Sequence, residues 1–401
     1  MSLGSLLAPA RPWRLTRRKL ETMRTLATLL QKLLLFTMTF GSAFLFAEVA
    51  FRAMGPQGGE FVLDATLGFF SPELYVQDET LISRLAPNVD VEIQAIEYQT
   101  RVQTNSLGLR GPELGEMLPG DLRFLLLGDS FTLGTQVDYE DTFGEKLEPL
   151  LRERAGRRIT IVNAGVDGYG TQQAVGWMDR LVREVDPDGA ILLFYLGNDL
   201  RDNARLPERL LGTLEIQDPV TEFTPAQRER RTQWAKRFQI YAHLHRHLAL
   251  RSWATDFRIQ EYRDEILPFT EGGNLADLMP ATRVALQRFQ DRCLRSQLIC
   301  IVGLVPPAYV IDTKRTAATF EAFGLDPSLA QLDVPAQAVM KAMPPGLAAV
   351  DLTPALREKK TLSPLYYTFD PHWTAAGHAQ AAEGLAEPVM DEIRKWIKRK
   401  G

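Results

Sequence analysis

The stretch RFLLLGDSFTLG, residues 123–134, opens as a short continuous apolar run and ends in Gly128, Asp129 and Ser130, with a helical pattern behind it. Four more runs of the same kind follow: ITIVNAG (159–165), AILLFYLGND (190–199), ICIVGLVP (299–306) and LAAVDL (347–352). Each is separated from the next by at least one helical stretch. Runs that are apolar at every position are buried on both faces, and strands alternating with helices make a parallel sheet, so the pattern predicts an α/β sandwich. Ligands of such sheets bind at the carboxyl ends of the strands near a topological switch point. The polar residues that close these runs are therefore the first candidates for chemistry.

The 401 residues are 45% hydrophobic and 24% charged, as in an ordinary folded protein, which excludes a disordered tail or a collagen-like repeat. Two cysteines exclude a disulfide framework and a thiolate metal cluster. The net charge of -4 conceals an asymmetry. Eight of the 46 basic residues and two of the 50 acidic ones lie in residues 1–52, so that segment carries +6 and the remainder -10. An acidic body offers no clustered basic face for phosphate, and nucleic acid is excluded as a partner.

Near the N-terminus, LLLFTMTFGSAFLFA (33–47) has no charge, and weaker apolar character extends it to residues 26–51. That length suits a membrane-spanning helix, with Lys32 and Glu48 able to reach the headgroups. A cleaved signal peptide is the alternative; the roughly thirty-residue basic region before the run and the lack of a small-x-small site after it favour an uncleaved anchor. Seven basic residues precede the run, so the positive-inside rule puts residues 1–25 in the cytoplasm and the body across a bacterial inner membrane, in the periplasm. Residues 53–120 hold alternating segments, VDVEIQAI and YQTRVQT, and predict a small β-rich segment ahead of a domain at 121–401. Between about 200 and 290 no strand is evident, which predicts a helical insertion.

Each polar strand end has a plainer reading beside the functional one. Ser130 at a strand-to-helix turn is a nucleophile or simply a helix cap; Thr132 stands where a G-x-S-x-G elbow needs glycine, so an α/β-hydrolase fold is not supported. Gly165, Gly168 and Gly170 let backbone approach a ligand or form a tight turn. Asn198 offers a carboxamide to the same crevice, or is a turn residue after Gly197. His243, His245 and His247 fall in the insertion, and His243 and His247 at i, i+4 lack a carboxylate arranged beside them, so no metal site is read there. That leaves His372 and His378 near the sheet. Asp370, two residues before His372 in a proline-stiffened loop, is placed to orient its imidazole, whereas His378 falls within the last helix and reads as structural. Cys293 and Cys300 are either a local disulfide or two thiols on a helix and a strand. TNSLGLRG (104–111) either lines the crevice with Asn105 and Arg110 or is a turn docking the β-rich segment on the sheet; the turn is favoured.

Together, GDSFT (128–132), NAGVDGYGT (163–171), LGND (196–199) and DPHWTAAGH (370–378) resemble, in order, the four blocks of the SGNH (GDSL-type) hydrolase superfamily. The resemblance spans about 250 residues and implies a three-layer α/β/α, flavodoxin-like fold with a parallel five-stranded sheet. It implies Ser130 as nucleophile, His372 as base and Asp370 as orienting carboxylate. The Ser130 and Gly165 amides and the Asn198 side chain would form the oxyanion hole. No cofactor or metal is implied. The Asp-x-His spacing followed by Trp373 departs from the common Asp-x-x-His and resembles the branch of alginate-type O-acetyltransferases.

The expected activity is a serine esterase acting on acyl esters, acetyl esters among them, of an envelope carbohydrate or lipid. An O-acyltransferase working with envelope polysaccharide machinery is the alternative, and a non-catalytic envelope binding or scaffold protein a third reading.

Overall fold

A computed structural model describes residues 17–54, 72–95, 97–211, 257–358, 361–368 and 370–400, together with 230, 234, 237, 238, 240 and 241. His243, His245, His247 and much of the expected insertion lie outside the described residues.

The apolar N-terminal run folds as helix α1 (Arg17–Met54). Within it Thr25–Ala50 is long and apolar enough to cross a membrane, and its large side chains, Leu33, Phe36 and Leu45 among them, stand exposed. At 1.5 Å per residue those 26 residues extend about 39 Å, more than the hydrocarbon core requires.

The second unit begins with two antiparallel hairpins, β1 (Tyr75–Asp78) with β2 (Ile82–Leu85), and β3 (Asp90–Gln94) with β4 (Gln99–Gln103). On β4 burial alternates residue by residue, Thr100 and Val102 inward, as expected of a strand with one wet face.

The five apolar runs form one parallel sheet: β5 (Leu122–Leu127), β6 (Ile159–Asn163), β7 (Gly189–Tyr195), β8 (Ile299–Val305) and β9 (Ala348–Asp351), in the order β6-β5-β7-β8-β9. That is the 2-1-3-4-5 order of flavodoxin-like folds, whose switch point lies between the first and third strands of the sheet, here β5 and β7. Alternate strand residues feed two separate cores. Phe124, Leu126, Ile191 and Leu193 pack with α2 (Phe143–Ala155), α9 (Thr353–Glu358) and α10 (Ala375–Lys400). Leu125, Leu127, Leu192 and Phe194 pack on the other face with α3 (Thr171–Val185), α6 (Leu275–Arg295), α7 (Thr313–Ala322) and α8 (Val334–Ala342). The result is the three-layer sandwich the runs predict, since a strand buried on both faces needs a helical layer on each.

Between β7 and α6 the chain forms α4 (Asp199–Leu211) and α5 (Phe257–Ile266), tied by the Arg201–Glu265 and Arg205–Asp264 ion pairs. Cys293 on α6 and Cys300 on β8 are joined by a disulfide.

Candidate active site

The catalytic candidates meet at the carboxyl ends of β5, β6 and β7. At the end of β5, Gly128 has φ +146, and a Cβ there would meet Leu193 O at 2.7 Å as well as the Thr132 hydroxyl, so only glycine fits the turn that presents Ser130. Asp129 caps that turn, its Oδ1 accepting from Phe131 N–H at 3.0 Å. Its Oδ2 is buried without a partner among the described residues, and burial, opposed by the nearby His372, pushes the carboxyl up to about 7.

Ser130 Oγ lies 2.6 Å from His372 Nε2, and His372 Nδ1 lies 2.5 Å from Asp370 Oδ1. The same Asp370 oxygen accepts from the His372 backbone N–H at 2.8 Å, so one carboxylate oxygen fixes both the loop and the ring. A carboxylate on Nδ1 holds the ring proton there and leaves Nε2 as an acceptor for the Ser130 hydroxyl proton. Burial lowers the His372 pKa, but the charge of Asp370 and its hydrogen bond outweigh that and hold it above its usual value. The ring is braced by Phe131, 4.8 Å away between centroids, which also meets the fully buried Trp373 edge-on at 5.1 Å. His372 O accepts from Tyr367 N–H and Leu365 O from Thr374 N–H, each at 3.0 Å, so the loop is pinned on both sides of the histidine.

The other predicted residues separate into those facing the crevice and those beneath it. Asn198 is half-buried ahead of α4, its backbone O accepting from Asp202 N–H at 2.8 Å, and its side chain engages no partner among the described residues, the Oδ1 being itself buried. Gly165 is different. Its N–H donates to Asn163 Oδ1 at 3.1 Å, while Asn163 Nδ2 donates to Thr132 O at 2.8 Å. A Cβ at Gly165 would collide with the backbone of Leu133 and come within 2.8 Å of Thr132. The glycine thus lets the serine turn sit against the end of β6. Three residues on, the amide of Gly168 engages no acceptor among the described residues, like that of Ser130.

His378 lies in α10, buried, its Nδ1 without a partner among the described residues, and burial with the neighbouring Arg110 pushes it down to about 3, so it is neutral packing. In the TNSLGLRG segment Asn105 Oδ1 accepts from the N–H of Leu107 and of Leu109, both at 3.0 Å, a side-chain-closed turn. Arg110 is buried, donating to Leu133 O at 2.7 Å, to Gly134 O and to Val137 O at 2.6 Å. It ties the β-rich segment to the serine turn from below, as the favoured turn reading has it.

The sequence reading did not single out the tyrosines of the β-rich segment. Tyr98 Oη donates to Asp370 Oδ2 at 2.9 Å, and Tyr75 Oη donates to Asp167 in the glycine-rich loop after β6. Burial pushes the Asp167 carboxyl up, with the Tyr75 hydrogen bond and His372 opposing. No composition signal marks either tyrosine.

With this geometry in hand, residues 314–400, which include Asp370 and His372, match the family described as SGNH hydrolase-like domain, acetyltransferase AlgX. Similar solved structures include LAE5, an alpha/beta hydrolase enzyme from the metagenome of Lake Arreo, Spain, at 13% identity over 67% of this chain and 95% of that chain, with a TM-score of 0.35. The psychrotrophic esterase EstA from Pseudoalteromonas sp. is 10% identical over 69% of this chain and 100% of its own, with a TM-score of 0.32. A catalytic mutant of Axe2, an acetylxylan esterase from Geobacillus stearothermophilus, is 15% identical over 69% and 96% respectively, with a TM-score of 0.34. No curated protein matches the chain. The sheet order and the approach of the serine turn to the late histidine loop are the features that build this site.

Proposed function

We propose that this chain is a serine esterase that works through an acyl-enzyme on Ser130. The observation that carries the reading is the continuous hydrogen-bonded chain from Ser130 Oγ through His372 to Asp370, at 2.6 and 2.5 Å. His372 Nε2 takes the hydroxyl proton as Oγ attacks the ester carbonyl, and Asp370 stabilises the imidazolium that results. The carbonyl oxygen, now an alkoxide, is held by the Ser130 N–H and the Asn198 amide, with Gly168 N–H as third donor, since the Gly165 N–H is taken by Asn163. His372 then passes its proton to the leaving alcohol, the C–O bond breaks, and the acyl group remains on Oγ. Water, deprotonated by the same imidazole, releases the acid and restores the serine.

A second reading, O-acetyl transfer to a hydroxyl acceptor instead of water, is favoured by the acetyltransferase family match over 314–400 and by the Asp-x-His spacing. Both readings share the acyl-enzyme and differ only in what attacks it. The apolar helix Thr25–Ala50 and the basic residues before it support an uncleaved anchor, with the N-terminus cytoplasmic and the body periplasmic. The substrate is then an acylated envelope carbohydrate or lipid, and the partners belong to envelope polysaccharide machinery.

The test incubates the full chain in detergent micelles with an acetyl donor ester and a mixture of envelope oligosaccharides, beside Ser130→Ala. Free acetate that disappears in the variant supports hydrolysis; acetylated saccharide supports transfer; neither product sinks both.

A further inference from the structure

Asp370 is almost wholly buried, and its Oδ1 is already used twice by His372. Its other oxygen accepts from the Tyr98 hydroxyl at 2.9 Å. The residue before Tyr98 grips the same loop by its backbone: Glu97 Oε1 accepts from Thr368 N–H at 2.6 Å and Oε2 from Asp370 N–H at 3.0 Å. Both residues sit between β3 and β4, where Ala95 N–H closes on Tyr98 O at 2.9 Å. The same hairpin also reaches the chain just after the serine turn. Thr100 Oγ1 donates to Thr135 O at 2.6 Å, and Tyr367, whose ring lies 5.2 Å from that of Tyr98, donates to Gln136 O at 2.8 Å.

We propose that the β3–β4 hairpin is a working part of the active site, with Tyr98 and Glu97 as positioning residues that set the Asp370 carboxylate against His372. The inference rests on the reading of His372 as the base for Ser130. The serine turn and the histidine loop come from opposite ends of the domain, and the hairpin touches both, so it fixes their separation as well as the carboxylate's rotation. A donor on Oδ2 also shares the Asp370 charge, which tempers how firmly that charge holds the His372 proton. Among the described residues, the charged and titratable groups around this pair include Asp167 and Asp129 towards His372, with Arg110 and His378 beyond, and Glu97, Tyr98 and Tyr367 towards Asp370.

The readout is the rate at which a fluorophosphonate labels Ser130 in the full chain, followed against pH, which depends on neither the natural substrate nor the acceptor. In Tyr98→Phe the alkaline plateau falls on the order of tenfold, and the midpoint moves to higher pH because Asp370 now holds the imidazolium proton more firmly. In Glu97→Gln, which keeps one acceptor for the loop amides, the plateau falls by about as much. Thermal melts by circular dichroism report folding, and if Tyr98→Phe fails to fold, Glu97→Gln decides. Wild-type plateau and midpoint in the folded variants overturn the proposal. A wild-type chain that resists labelling overturns the reading of Ser130 as nucleophile, and this inference with it.

Discussion

Ser130 Oγ and His372 Nε2 stand 2.6 Å apart although 242 positions separate them in the chain. That contact is made by topology: Ser130 follows β5, which lies between β6 and β7, and His372 sits in the loop that leads into α10, the helix packed beside α2 on the same face of the sheet. The proton path of the proposed reaction is the line through these two side chains, and each of the following expectations perturbs it or what supports it.

Asp370→Asn keeps the shape of the side chain and removes its charge. The amide no longer selects the Nδ1–H tautomer, so Ser130 loses its acceptor, and turnover falls on the order of 10^4-fold with the melting temperature little changed. Steady-state kinetics on an acetyl ester beside a thermal melt check it; turnover within tenfold of wild type would remove Asp370 from the path.

Activity should rise with pH along an acid limb set by His372. The base must be neutral, and since the folded pKa is raised, the imidazole stays protonated to higher pH than a free histidine, placing the midpoint above about 6.5. Asp129, pushed up to about 7 by burial, ionises in the same window, and its new negative charge holds the His372 proton longer. The limb is therefore broader than a single titration, and Asp129→Asn narrows it. A pH–rate profile of kcat/KM for both forms is the check.

Asn198 and Gly165, taken as equivalents from the sequence, should separate by experiment. Asn198→Ala leaves the fold intact and costs about 100- to 1000-fold in turnover by removing one oxyanion donor. Gly165→Ala drives a Cβ into the backbone of Thr132 and Leu133, so its loss appears first as a lower melting temperature. Finding both variants equally stable and equally slow would put Gly165 back among the donors.

Arg110→Met removes a buried guanidinium and leaves the carbonyls of Leu133, Gly134 and Val137 without their donors. Burial lowers its pKa only to about 10, so the charge is present at neutral pH and the bonds are charge-assisted. The expected cost is about 3 kcal/mol of stability, read by urea unfolding, with the serine turn loosened as a consequence.

Much of this was open to reading before any coordinates. Each of the five apolar runs became a strand within a few residues of its quoted limits, because burial on both faces writes itself as uninterrupted hydrophobicity. Ser130, Asp370 and His372 stood out by their places at a strand end and in a proline-stiffened loop, and the role expected of Asn198 came from the resemblance of the four blocks. Tyr98 could not. Its link to Asp370 spans 272 positions and depends on how a hairpin outside the sheet leans on a loop, and one tyrosine at the edge of an alternating segment looks like any other. Gly165 was legible as a glycine that something approaches, but not as one approached by the protein's own backbone. The state of Cys293 and Cys300 also needed three dimensions, since seven positions of separation fit a bonded pair and an unbonded one equally.

Arg110 also bears on where the chain divides. The pattern of residues suggests a border near 120, between a modest β-rich prelude and the domain proper, and someone seeking a minimal enzyme would cut there. That cut would take away the cation that stitches three carbonyls of the nucleophile turn, the hydroxyl resting on Asp370 and the carboxylate gripping its loop. What remained would keep all four sequence blocks and lack the masonry that holds them in register, so the smallest piece expected to act starts upstream of β3.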